Sequence, residues 1–229
     1  MNVSSLACVL FDLDGTLLDT APDMAKALNR LRLEYEQPVL PFDVIRPQVS
    51  HGSTGLLRLA FELEPNEPGF ETLRERFLAL YSADLASDTR LFPGMIGILD
   101  FLETENISWG VVTNKPGWLT VPLLEHLSLY SRCATVVSGD TIPQRKPHPA
   151  PLLHACHNIG IDPDQCVYIG DAERDIVAGR RAGMSTLVAR YGYLSATEQP
   201  ENWGADSILD TPDDLYTWLL ETLRTNAML

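Results

Sequence analysis

The sequence predicts an α/β protein: a parallel sheet covered on both faces by helices, with a smaller helical unit inserted after the first strand. Three observations carry this. Short apolar runs alternate with segments of helical periodicity over most of the chain. The carboxyl ends of four of those runs, or the loop that follows, carry polar groups. The alternation lapses once, from about Thr20 to Arg90, where no strand-like run occurs. A chain of 229 residues has room for one sizeable core and a satellite, and 45% apolar with 21% charged residues is a globular composition.

The strand-like runs are Leu6 to Leu13, Ile107 to Thr113, Ala134 to Ser138, Cys166 to Ile169 and Thr186 to Ala189, with a weaker one at Ser207 to Leu209. Apolar residues at helical spacing fill Met95 to Leu102, Leu119 to Leu129 and Leu152 to Ile159. "RDIVAGRRAG" reads as a further helix. Within the lapse, Met24, Ala27, Leu28 and Leu31 form one stripe, with Thr20 as its N-cap and Pro22 and Asp23 in the first turn. Leu73, Phe77, Leu80 and Tyr81 form a second. "RPQVSHGSTG", Arg46 to Gly55, reads as a loop, and the chain returns to the sheet near "DTRLFPG". The division is therefore 1–19 and 91–229 for the core, 20–90 for the insert. An insert there hangs over the carboxyl end of strand one, where open α/β sheets bind ligands.

A net charge of -14 repels nucleic acid and anionic membrane, so neither is an expected partner. It repels a phosphorylated ligand too, so any anion site has to be local. Cys8, Cys133, Cys156 and Cys166 show neither zinc-knuckle nor CxxC spacing. Cys8, Cys133 and Cys166, in or at the edge of strand-like runs, read as reduced buried thiols, which fits a cytoplasmic protein. The N-terminal apolar run is too short for a signal or a membrane span. A monomer is expected, with a cap-mediated dimer as the alternative. "ETEN" and the acidic C-terminal stretch read as solvated faces.

In a parallel sheet the polar strand ends fall on one edge. Strand one runs out at Asp12-Leu13-Asp14-Gly15-Thr16, strand two at Thr113-Asn114, and strand four at "GDAERD" with Asp171 and Asp175. Lys146 lies in "QRKPHPAP" after strand three, with Arg145 and Lys115 as competitors for its place. Carboxylates gathered at a dry edge call for a hard cation such as Mg²⁺. Asp12 then suits a nucleophile that takes up a phosphoryl group, and Asp14 a general acid and base. Gly15 and Thr16 offer backbone N–H groups to phosphate oxygens. The Thr113 hydroxyl and Lys146 hold the others.

"DLDGTLLDT", "VVTN", "RKPHPAP" and "GDAERD" resemble, in order, the four motifs of the haloacid dehalogenase-like hydrolases, over nearly the whole chain. The resemblance implies a Rossmann-like core with a helical cap. It also implies Mg²⁺ held by the Asp12 carboxylate, the Asp14 backbone carbonyl and Asp171, with Asp175 behind them, and Thr113, Asn114 and Lys146 on the phosphoryl group. Within that family the chain resembles phosphoglycolate phosphatase-like proteins. "WGVVTNKP", "ARYGY" and "NWGAD" resemble the N-acetylmuramic acid 6-phosphate phosphatases of peptidoglycan recycling.

The expected activity is thus hydrolysis of a small phosphate ester. Alternatives are a sugar phosphomutase, a dehalogenase (disfavoured by Asp14 and the Asp171/Asp175 pair), and a non-catalytic phospho-ligand binder, disfavoured because every motif residue is present. Ser50, His51 and Gly52, in the loop over the site, are candidates for touching the leaving group. Arg46 and Arg58 are candidates for a substrate carboxylate, each weighed against a surface or core–cap ion pair. Tyr191 and Tyr193 read as packing residues.

Overall fold

The computed structural model describes residues 6–226. Its centre is a six-stranded, all-parallel sheet of β1 (Cys8–Phe11), β4 (Ser108–Val112), β5 (Thr135–Val137), β6 (Cys166–Gly170), β7 (Ser185–Ala189) and β8 (Ser207–Leu209), in the order β5-β4-β1-β6-β7-β8. Each is a short apolar run bounded by polar or turn residues, as expected for strands buried on both faces. Val9 and Phe11 face one layer with Trp109, Val111 and Ile169, covered by α5 (Met95–Thr104), α6 (Gly117–His126) and α9 (Pro212–Asn226). Cys8 and Leu10 face the other, covered by α7 (Ala150–Ile159) and α8 (Glu173–Ala182). The C-terminal acidic stretch is therefore not a solvated face throughout. Leu215 and Leu219 of α9 are fully buried, each contributing roughly 1.5–3 kcal/mol.

The chain leaves β1, builds β4 and β5 on one side, then crosses back to build β6, β7 and β8 on the other. The strand order thus reverses at β1, and Asp12 follows at its carboxyl end. Thr113 lies just beyond β4 and Asp171 just beyond β6, so the two flank Asp12 across the switch point.

Between β1 and β4 the chain passes through a two-stranded antiparallel ribbon, β2 (Leu18–Asp19) with β3 (Arg90–Leu91). The helical segment hangs from it: α1 (Ala21–Glu34), α2 (Phe42–Ile45), α3 (Gly52–Phe61) and α4 (Phe70–Ala83). Both expected stripes are buried there, but Leu119, Phe92 and Tyr193 from outside the segment join the same cluster. Asp23, almost wholly buried, accepts the N–H groups of Asp88 and Thr89 and so pins the returning chain beside α1.

The segment Arg46 to Gly55 is helical, not a loop. A 3-10 turn over Arg46–His51 runs into α3. Pro47 fits a first helical turn, and Gly52 at φ 62° lets the chain change direction between the two. Gly55 brings α3 against His51. Read along the sequence, these Pro and Gly residues look like loop punctuation. Thr20 precedes α1 as expected, but its hydroxyl makes no cap. The capping falls to Tyr193, whose hydroxyl oxygen accepts the N–H groups of Thr20 (2.6 Å) and Ala21 (3.0 Å). Tyr191 donates to the Thr16 carbonyl in the turn after β1, so of the two tyrosines Tyr193 is the one whose hydrogen bonds fasten the sheet to the segment. All four cysteines are free, three of them buried and Cys133 half-buried.

Candidate active site

Asp12 is held where β1 ends, its N–H donating to the Ile169 carbonyl at 2.8 Å. Its carboxylate is buried beside Asp171 and Asp175, the three offering oxygens within 4.8 Å of one another. One ammonium faces this group. Lys146 Nζ lies 2.8 Å from Asp12 Oδ1 and 2.7 Å from Asp175 Oδ1, and it donates to the Val112 carbonyl and the Tyr168 hydroxyl. Its ammonium is thus placed directly against the Asp12 carboxylate. Its approach to Asp12 is an ion pair by distance without hydrogen-bond geometry, so Asp12 Oδ1 and Asp171 Oδ1 are buried acceptors without a donor among the described residues.

Burial, then the charges of Asp12 and Asp175, push Asp171 up to about 7. Burial pushes Asp175 up as well, against the pull of Lys146. This cluster is short of positive charge. Three converging carboxylates with two orphaned oxygens fit a hard divalent cation. Asp175 also accepts the Ala172 N–H and so anchors the start of α8.

Asp14 is separately supported. Its Oδ1 accepts the Thr20 hydroxyl (2.7 Å) and the Lys115 ammonium (2.9 Å), which leaves Oδ2 without a protein donor among the described residues. Lys115 also donates to the Tyr81 hydroxyl on α4 and lies over that ring. Burial pulls Lys115 down, but Asp14 and Tyr81 more than offset it, and its pKa ends above the usual lysine value. Sequence reading treated Lys115 only as a competitor of Lys146. The structure uses both lysines, one per aspartate.

Gly15 and Thr16 do not present their N–H groups outward. Gly15 donates to the Leu18 carbonyl and Thr16 to the Leu13 carbonyl, because the turn after β1 closes on itself. Gly15 has a different requirement: at φ 86°, a Cβ there would run into the Asp171 carboxylate and the Tyr193 ring. The Asn114 side chain gives and takes hydrogen bonds with the Lys146 backbone (3.1 and 3.0 Å). It shapes the lysine loop, and one N–H of its amide remains unused among the described residues. Thr113 Oγ1 accepts the Lys115 N–H at 3.1 Å and keeps its own hydrogen to donate.

Above these groups is a cavity of about 410 Å³, lined by Asp12, Asp14, Thr113 and Asn114 from below and by Ser50, His51, Gly52, Phe77 and Tyr81 from the helical segment. Lys146, Asp171, Asp175, Gly15 and Thr16 lie outside its lining. Ser50 crosses the seam, its hydroxyl donating to Asp171 Oδ2 at 2.5 Å. Arg46 and Arg58 take the bland alternatives. Arg58 is an exposed partner of Glu64, and Arg46 donates to the Gly192 carbonyl beneath the insert and stacks over Tyr193. The arginines lining the cavity are Arg145, named above only as a competitor of Lys146, and Arg74 and Arg174, which no local pattern singles out.

A doubly wound parallel core, an aspartate pair at its switch point and a helical segment closing the site define a hydrolase of the capped α/β class. The profile of the haloacid dehalogenase-like hydrolases matches residues 9–189, and the chain belongs to that family. It is 41% identical over 210 residues to the N-acetylmuramic acid 6-phosphate phosphatase of Pseudomonas putida, covering 92% of this chain and 94% of that one. It is 44% identical over 208 residues to the phosphoglycolate phosphatase of Xanthomonas campestris pv. campestris, covering 91% and 94%. Among solved structures, a predicted phosphoglycolate phosphatase from Haemophilus somnus superposes with a TM-score of 0.82 at 28% identity, over 93% of this chain and 98% of that one. Among the described residues, no helix is long and apolar enough to cross a membrane.

Proposed function

We propose that the chain hydrolyses a small phosphate monoester in two displacements at Asp12, with residues 20–90 acting as a cap and Mg²⁺ as cofactor. The observation that carries this is the division of labour at the switch point: Asp12 buried against Lys146, and Asp14 held apart by Thr20 and Lys115. An Asp12 oxygen bonds to phosphorus as the ester P–O bond breaks, and Asp14 gives its proton to the departing alkoxide. Water then attacks phosphorus, Asp14 takes a proton from it, and the bond from phosphorus to Asp12 breaks. The Thr113 hydroxyl donates to a phosphoryl oxygen, and Lys146 holds Asp12 in place. Asp12, Asp171 and the Asp14 carbonyl would hold Mg²⁺, which would supply positive charge against the phosphoryl group. In this reading the chain works as a monomer in the cytoplasm, where free cysteines persist.

The metal is testable without turnover. Protein freed of metal by a chelator gains about 2.7 kcal/mol when Mg²⁺ is raised to about 100 times its dissociation constant. For a chain this long that raises the melting temperature by roughly 5–10 °C. Asp171→Asn is expected to lose most of the shift. A wild-type melt indifferent to Mg²⁺ would remove the metal from this reading.

Among substrates we place N-acetylmuramic acid 6-phosphate first and 2-phosphoglycolate second. Relatives of both names support the pair, and the volume of about 410 Å³ favours the sugar, since a two-carbon acid would leave most of the cavity to water. Phosphate release from a panel of esters, with and without Mg²⁺, tests this. The expected result is a metal-dependent preference for the muramic acid ester of ~100-fold or more in kcat/KM, about 2.7 kcal/mol of differential transition-state binding. A flat or glycolate-favouring profile would keep the phosphatase chemistry and cancel the sugar.

A further inference from the structure

We propose that Arg174 reads a carboxylate on the leaving group, so that the esters this site prefers carry a second negative charge beside the phosphoryl group. The inference rests on the phosphatase reading and assigns a residue that reading does not use.

Four lysine and arginine side chains line the cavity of a chain whose net charge is -14. Three are accounted for. Lys115 is spent on Asp14. Arg74 pairs with Glu71 at 2.9 Å. Arg145 is exposed and turns its Nε to the Gly139 carbonyl at 2.6 Å. Arg174 has no carboxylate within ion-pair distance among the described residues. Its one hydrogen bond there runs from Nη2 to the Ser50 carbonyl at 2.7 Å. A guanidinium carries five N–H donors in a planar fork, so most of this one remains for a ligand.

Its position is telling. Arg174 is the second residue of α8, in the first turn, where the helix dipole disfavours a cation. A residue that breaks a local rule is expected where function holds it. Ser50 joins Arg174 through its carbonyl and Asp171 through its hydroxyl, so the guanidinium stands one residue from the carboxylate cluster. On the other side is His51, held below the ordinary histidine value by partial burial and by the Arg174 charge. A ligand anchored by its phosphoryl group at Asp12 presents its next few atoms to this wall. A carboxylate meets the fork with two parallel N–H···O bonds.

The competing role is purely electrostatic: Arg174 balances Asp12, Asp171 and Asp175. Removing it then slows every ester alike. Two matched pairs separate the roles: N-acetylmuramic acid 6-phosphate against N-acetylglucosamine 6-phosphate, and 2-phosphoglycolate against ethyl phosphate. The members of each pair differ by the carboxylate-bearing group. In wild type the carboxylate-bearing member of at least one pair is preferred. Arg174→Gln is expected to collapse that kcat/KM ratio by ~100-fold, whatever it does to the absolute rates. Arg174→Lys keeps the charge but not the fork, and is expected to lower the ratio by ~10-fold. It also carries the test if the glutamine variant does not fold. A wild-type ratio near one in both pairs, or a ratio that neither variant moves, overturns the inference. Wild-type phosphate release from the carboxylate-free esters tests the phosphatase reading on its own.

Discussion

Replacing Asp12 by asparagine is expected to cut phosphate release by about 10⁴-fold or more while leaving the fold intact. The amide has the shape of the carboxylate but is a poor nucleophile toward phosphorus. The backbone at this position is set by β1 and by the hydrogen bond to Ile169, neither of which the substitution touches. The variant also removes one of three crowded carboxylates, so its metal-free melting temperature is expected to hold or rise. Two measurements check this together. Phosphate release reports the chemistry, and the intact mass of acid-quenched enzyme reports a phosphoryl group on wild type and none on the variant. Full activity in Asp12→Asn would sink the assignment of the nucleophile.

Lys146→Met is expected to cost stability as well as activity. The ammonium side chain is 1% exposed and sits between two buried carboxylates at 2.8 and 2.7 Å. Removing one member of a buried ion pair leaves uncompensated charge and typically costs about 3–5 kcal/mol. In a chain of this length that lowers the melting temperature by on the order of 10 °C. The loss should be non-additive with Asp175→Asn, which removes one of the stranded carboxylates, so the double variant is expected to melt above Lys146→Met alone. If the single variant melts with wild type, Lys146 is not the counter-charge of this cluster and its place in the mechanism falls with it.

Much of the core was legible because its signals are local. Runs such as Cys8 to Phe11 or Cys166 to Gly170 are apolar without interruption, and a strand buried on both faces leaves no other trace in sequence. Asp12 and Asp14 declared themselves by following such a run directly. Arg46 to Gly55 misled because Pro47, Gly52 and Gly55 are loop-like by composition, yet each fits a helical path once α1 and α4 provide a surface for it. The turn after β1 misled in the opposite direction. Its N–H groups looked available, and closure of the turn consumed them.

The site pairings that escaped notice share one property: the partners are remote in sequence. Lys115 meets Asp14 across 101 positions, Ser50 meets Asp171 across 121, and Tyr193 caps Thr20 across 173. No window of sequence contains such a pair, and an isolated Lys, Ser or Tyr carries no mark of it. By itself, then, the sequence determined the α/β class, the inserted helical unit and the aspartate pair, since periodicity and burial act within a few residues. The tertiary structure alone decided which lysine serves which aspartate, which arginines face the cavity and which hydroxyls bind the insert to the sheet. Those pairings depend on how the helical segment packs back over the carboxyl edge, and that packing is fixed by contacts summed over the whole chain.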